Sequence, residues 1–202
     1  IVIDHSDEKV ATSSAIAINI TSEEDEFNSP PNGEFALHVN LGANESKNYE
    51  GKEFVPLSST GITTGSTNSN AHDGTLLGSS VYERDLTFKV PVPNGIYNLK
   101  TYHQENYFGI DGVTGGKDQR VFDIIVENET KYSKLDLFNL NGNKAVVLSH
   151  NNIEVTDGFL NLTLDASENN AIISAFSIEA IGVSTPIPDL ESAIYINVLT
   201  II

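Results

Sequence analysis

Leu86-Thr87-Phe88-Lys89-Val90-Pro91-Val92-Pro93-Asn94-Gly95-Ile96-Tyr97-Asn98-Leu99-Lys100-Thr101 carries the plainest structural signal in the chain. Leu86, Phe88 and Val90 alternate with Thr87 and Lys89, and Tyr97, Leu99 and Thr101 alternate with Asn98 and Lys100. Successive side chains of a strand point to opposite faces, so a period of two means two half-buried strands. The Pro/Asn/Gly run between them supplies turn chemistry, and the pair reads as a β-hairpin. The same period recurs outward. Phe35, Leu37, Val39 and Leu41 alternate before Gly42, and Leu160, Leu162 and Leu164 follow Asp157-Gly158. Short strands among turns rich in Gly, Asn, Ser and Thr read as an all-β module.

Beyond Thr101 the chain passes through His103-Gln104-Glu105 to the adjacent aromatics Tyr107 and Phe108. A glycine-rich loop follows and returns as the strand-like run Arg120 to Val126. A core hides one of two neighbouring strand residues, but at a loop mouth both rings can face outward. Flat rings beside polar loops suit a sugar, whose C–H face stacks on a ring while its hydroxyls need donors and acceptors. The bland alternative puts one ring in the core and leaves the other half-covered. Ser58 to Ser80 is a long Ser/Thr/Gly/Asn stretch with little periodicity, and long loops of this kind are often functional.

The order of these pieces resembles the malectin family of carbohydrate-binding domains. The motifs that carry it are V-N-L-G at Val39 to Gly42, E-R at Glu83-Arg84, and F-K-V-P at Phe88 to Pro91. They continue with N-G-I-Y at Asn94 to Tyr97, E-N-Y-F at Glu105 to Phe108, and Q-R-V-F-D at Gln119 to Asp123. D-L at Asp136-Leu137 and N-A-I-I-S-A at Asn170 to Ala175 complete the series. The resemblance implies an antiparallel, jelly-roll-like β-sandwich with long loops at one end, which hold a sugar between aromatic rings and an acidic residue.

Carried onto this chain, the resemblance makes Tyr107 and Phe108 the stacking platform. Asn169 stands where an acid is expected, just before Asn170-Ala171, and an amide can both donate to and accept from a hydroxyl. Asp85 stands where a tyrosine should follow Glu83-Arg84, and Tyr82 is its substitute from the same loop. A second expected tyrosine has no counterpart, because Ser66 to Asp73 contains no aromatic residue. Glu105 reads either as an acceptor for a sugar hydroxyl or as a loop-bracing acid. Arg84, Asp123 and a satisfied, partly buried His103 read as structural.

Composition sets the remaining bounds. With 202 residues, no cysteine and a net charge of −17, the chain can bury a core without disulfides. It also repels phosphate backbones and anionic lipid, so an oligo- or polysaccharide, neutral by charge, is the expected partner. No apolar run approaches the roughly 18 to 20 residues of a membrane-spanning helix. No cofactor is expected; Asp111 and Asp118, bracketing Gly112, Gly115 and Gly116, allow a structural calcium ion but lack EF-hand spacing. No nucleophile elbow, zinc motif or phosphate loop is present, so the reading is non-catalytic.

Three segments are expected. Residues 1–33 hold a strand with Ile16, Ile18 and Ile20, then an acidic and Pro-containing linker; 34–183 form the malectin-like sandwich; 184–202 hold a Pro-containing linker and an apolar strand from Ala193. Ile1 in place of a methionine reads as a mature or trimmed piece of a longer chain. The expected function is a carbohydrate-binding module of a secreted or cell-surface protein. The alternative is a structural or adhesive module of a surface fibre or pilus-like assembly, whose terminal strands pair with neighbours. N-x-S/T triplets begin at Asn19, Asn44, Asn128 and Asn161 and matter only in a host that glycosylates them.

Overall fold

The computed structural model describes residues 35–181. The strand expected at Ile16 to Ile20, both linkers and the apolar run from Ala193 lie outside the described residues. In chain order the first strands are β1 (Ala36–Asn40), β2 (Lys47–Tyr49), β3 (Lys52–Pro56), β4 (Thr63–Thr64), β5 (Asn68–Ala71) and β6 (Ser79–Glu83). Then come β7 (Asp85–Pro91), β8 (Gly95–His103), β9 (Val121–Val126), β10 (Glu129–Leu135) and the short helix α1 (Leu137–Asn141). The last are β11 (Val146–Val155), β12 (Phe159–Glu168), β13 (Ala171–Ile173) and β14 (Ala175–Ala180).

Two sheets make the sandwich, in the orders β11-β8-β14-β1-β3-β2 and β10-β9-β12-β7-β4, and a third, β13-β6-β5, flanks them. All pairings are antiparallel except β1 with β3. The alternation read from the sequence becomes the inter-sheet core. Leu86, Phe88 and Val90 on β7 sit opposite Leu164, Leu162 and Leu160 on β12. From the other sheet, Phe176 meets Phe88 edge to face, with ring centroids 5.8 Å apart. Fully burying such side chains contributes about 1.5–3 kcal/mol each.

The other face of the six-stranded sheet is covered too. Tyr102 and Ala175 pack there with Phe54, Leu76 and Leu77. That is why β14 is buried on both faces at Ala175 to Ile178. Gly42 ends the V-N-L-G motif for a steric reason. A Cβ there would lie 2.1 Å from the Ser80 nitrogen, so only glycine lets β1 leave against the start of β6.

The hairpin expectation is overturned. β7 pairs with β12 and β4, whereas β8 pairs with β11 and β14, so the Pro91 to Gly95 turn crosses from one sheet to the other. Pro91 and Pro93 have no N–H to donate to a hairpin ladder. The turn instead bonds to the neighbouring 157–158 turn: Val92 N donates to Gly158 O at 3.0 Å, and Gly158 N to the Asn94 side chain at 2.8 Å. The Ser58 to Ser80 stretch is not featureless either, since it contains β4 and β5. Strands this short, two and four residues, leave no periodicity to read.

Candidate functional site

β8 ends at His103, and Gln104 to Arg120 loops out before the chain re-enters the opposite sheet as β9. Glu105 organises this loop. It is fully buried; its carboxylate accepts from Tyr107 N at 3.0 Å and Phe108 N at 3.1 Å. It also accepts from Arg120 Nε at 2.7 Å and Nη2 at 3.4 Å. Arg120 in turn donates from Nη1 to the Asn170 carbonyl at 2.5 Å. Of the two open readings of Glu105, the structure shows the bracing one.

Asn143, just past α1, clamps the same loop, donating to Glu105 O at 3.0 Å and Phe108 O at 2.7 Å. Within the loop, a Cβ on Gly115 would fall 2.1 Å from the Gly109 nitrogen, so the glycine is required by close backbone approach. Asp136 caps α1 through Asn139 N and also accepts from Asp118 N. Asp118 and Asp111 both have positive φ. Asp111 lies 3.8 Å from His72, and no metal-binding cluster of three such residues occurs among the described residues.

The two adjacent rings part company. Tyr107 is 52 % exposed, while Phe108 is 6 % exposed. Phe108 stands edge-on beneath Tyr107, centroids 5.1 Å apart, with the Arg120 guanidinium 5.4 Å from its own ring. Phe108 therefore supports the platform and offers no open face, correcting the expectation of two presented rings. The Glu105 carboxylate holds both backbone amides, and of the two rings only Phe108 packs against the Arg120 guanidinium.

A cavity of about 330 Å³ opens beside Tyr107. Tyr82 from β6, Asn169 and Asn170 from the turn before β13, Asn70 from β5, Arg120 and Ile172 complete its lining. Tyr107, Tyr82 and Asn169 are thus brought together. Asn169 sits at φ 57°, and its side-chain oxygen accepts from Asn170 N at 2.8 Å. Asn70 occupies the segment in which the missing tyrosine was sought.

Asp85 is not in this lining. It is exposed on β7, opposite Asp165 of β12, and a hydrogen bond between the two carboxyls raises the Asp165 pKa. Arg84 is exposed, its carbonyl accepts from Ala166 N at 2.9 Å, and it makes no ion pair among the described residues. Asp123 accepts from Lys134 N at 2.7 Å, beside a bulge where Lys134 has φ 54°. His103 is fully buried rather than partly, and only half satisfied, because Nε2 has no hydrogen-bond partner among the described residues. Burial holds its pKa down at about 4 despite the hydrogen bond between Nδ1 and Ile172 O.

Sequence reasoning missed Arg120, Asn70, Asn143 and Asn170 as parts of this region. Arg120 and Asn170 do fall inside quoted motifs, and that was the available signal. Asn70 lies in the loop where the resemblance placed a tyrosine, a signal for the segment but not for the residue, and Asn143 carried none.

The chain is a two-sheet β-sandwich with a loop-end cavity walled by tyrosines and asparagines. The malectin domain model matches residues 14–182, and the chain belongs to that family, whose members are generally non-catalytic binding modules with a carbohydrate-binding-like fold. No curated protein matches the chain.

Among solved structures, the ANXUR1 extracellular domain from Arabidopsis thaliana is similar at a TM-score of 0.60 and 12% identity, over 73% of this chain and 42% of that one. A plant assembly of the peptide RALF23 with FER and LLG2 gives 0.57 at 12% identity, over 75% and 41%. A calcium-binding mutant of Bacteroides uniformis β-glucuronidase 2 gives 0.58 at 15% identity, over 73% of this chain and 18% of the enzyme. The chain therefore spans less than half the length of these neighbours, and the likeness is one of fold.

Proposed function

We propose that the chain is a non-catalytic carbohydrate-binding module of a secreted or cell-surface protein, taking a neutral glycan at the loop-end cavity. The observation that carries this reading is the convergence of Tyr107, Tyr82 and three asparagines on one opening. Tyr107 offers its ring to the apolar face of a pyranose, and Tyr82 walls the other side. Asn70, Asn169 and Asn170 supply side-chain amides for hydroxyls. Hydrolysis of a glycosidic bond normally needs two carboxyls flanking the substrate. The lining carries no carboxylate, and Glu105 beneath it is held by Arg120 and two amides.

An open site with two rings and few charged contacts supports weak binding, on the order of micromolar to millimolar, or about −8 to −4 kcal/mol. Calorimetric titration with neutral α- and β-linked gluco-oligosaccharides tests it. The expected result is a saturable isotherm that Tyr107→Ala abolishes while the melting temperature stays put. Binding that survives Tyr107→Ala unchanged removes the loop-end assignment. No heat from any oligosaccharide of the panel moves the weight to a structural or adhesive module.

A further inference from the structure

The loop-end cavity has two chemically different ends. Ile172 on β13 stands directly opposite Tyr82 on β6, and Asn70 on β5 pairs with Ser80, two residues from Tyr82. Opposed residues, and residues two apart on a strand, share a face. Ile172, Tyr82 and Asn70 therefore form one wall, in that order across the three-stranded sheet. Arg120 reaches the Ile172 end, because its Nη1 donates to the carbonyl of Asn170, two residues before Ile172. It lines the cavity although it is only 5 % exposed. A guanidinium carries N–H donors and no acceptor. Glu105 takes Nε and Nη2, and Asn170 takes Nη1, which leaves an N–H uncommitted on each terminal nitrogen. Asn169 adds a donor, since its side-chain oxygen accepts from Asn170 N and its NH2 is the end left to a ligand. One end of the cavity thus sets donors beside Ile172, the only aliphatic side chain in the lining among the described residues, and Asn70 stands at the other.

We propose that the glycan taken at this site contains an N-acetylated amino sugar, whose acetamido group enters the Ile172 end while its ring lies against Tyr107. The inference rests on the loop-end reading and narrows its ligand. A hydroxyl at the Ile172 end would accept from Arg120 but bring no carbon to the isoleucine. An acetamido group does both: its carbonyl accepts from Arg120 and Asn169, and its methyl covers Ile172. Its N–H donates to the side-chain oxygen of Asn170. A carboxylate or phosphate would suit the donors as well, but Glu105 already neutralises the guanidinium, and the chain's net charge of −17 repels anions. An O-acetyl ester brings the carbonyl and the methyl without the N–H.

Calorimetric titration with matched β-1,4-linked trisaccharides tests it. The ligands are N,N′,N″-triacetylchitotriose, cellotriose, which has hydroxyls in place of the acetamido groups, and cellotriose carrying O-acetyl esters. The acetamido sugar is expected to bind tighter than either of the others by about tenfold or more, and Tyr107→Ala to abolish its binding. Asn169→Asp tolerates the left-handed backbone at φ 57° and still accepts from Asn170 N, but sets a carboxylate oxygen where the donor was. This variant is expected to shrink the preference by about fivefold with an unchanged melting temperature. The inference is overturned by no binding of the acetamido sugar, by an affinity no greater than that for cellotriose or its ester, or by a preference that Asn169→Asp leaves whole. In any of these cases, cellotriose binding that Tyr107→Ala abolishes leaves the loop-end reading standing. Binding of the trisaccharides that survives Tyr107→Ala unchanged removes both.

Discussion

β7, β12 and β9 on one hand, and the loop from Gln104 to Arg120 on the other, are held in place by opposite means. The strands are held by repetition. Leu86, Phe88, Val90, Leu160, Leu162, Leu164, Phe122, Ile124 and Val126 are all buried, each contributing a similar increment to one core. The loop is held by convergence, since one carboxylate takes two amides and a guanidinium, and one asparagine amide takes two carbonyls. Losing one member of a repeat removes an increment. Losing one member of a convergent cluster leaves the others buried and unpaired.

The sharpest way to break the comparison is Arg120→Ala. It strands the Glu105 carboxylate in the interior, and breaking a buried pair from one side costs about 3–5 kcal/mol. The expected urea denaturation result is a loss in that range, together with loss of any binding at the Tyr107 cavity. Leu162→Ala, which removes one core increment, is expected to cost about 2–5 kcal/mol and leave affinity intact once the protein is folded. Equal affinities in the two folded variants would mean that the ion pair does not position the platform.

Acid separates buried polar groups from the apolar core at a smaller scale. Burial lowers both His103 and His150 from 6.5 to about 4, with the Lys131 charge adding to the effect at His150. The unfolded chain takes up protons below about pH 6.5, and the native state does not until about pH 4. Stability therefore falls as the pH drops through that window, by on the order of 3 kcal/mol per histidine. Urea midpoints measured from pH 7.5 to 4.5 are expected to fall. His150→Gln, at the buried site beside Tyr132, is expected to flatten part of the slope. An unchanged slope would mean that these imidazoles are not held neutral.

The smallest expected effect comes from the surface. Asp165 faces Asp85 across β12 and β7, and like charges placed opposite one another are destabilising. Hydrogen bonding to Asp85 raises the Asp165 pKa, so the folded state holds a proton that the unfolded state has released. This contribution is present at low pH and lost as the pH rises through the raised value, opposite in sign to that of the histidines. Asp165→Asn is expected to raise neutral-pH stability by roughly 0.2–1 kcal/mol, with the gain shrinking as the pH is lowered. A gain independent of pH would assign the effect to packing.

The division between what was legible and what was not follows the same contrast. The strand cores at Leu86 to Val90 and Leu160 to Leu164 declare themselves because burial on one face imposes a period of two on the residues themselves. The resemblance and its motifs named Tyr107, Tyr82 and Asn169, which share one cavity, and the motifs also held Arg120 and Asn170 without giving them a role. Asn70 stands in a loop that the resemblance marked only as the place of an absent tyrosine, and Asn143 in a segment where neither period nor motif marks it.

The sequence by itself determined an all-β chain, strand cores such as Leu86 to Val90 and Leu160 to Leu164, and the segment that carries the loop-end aromatics, because alternation and turn chemistry are properties of neighbouring residues. Only the tertiary structure decided that β7 and β8 part into different sheets, that Phe108 turns inward while Tyr107 stays open, and that Asp85 lies outside the cavity. Each of those outcomes depends on a partner far along the chain: the Gly158 turn bonding to the 92–94 turn, Arg120 meeting Glu105, and Asp165 opposing Asp85. Separation in sequence hides such partners until the fold brings them within hydrogen-bonding or packing distance.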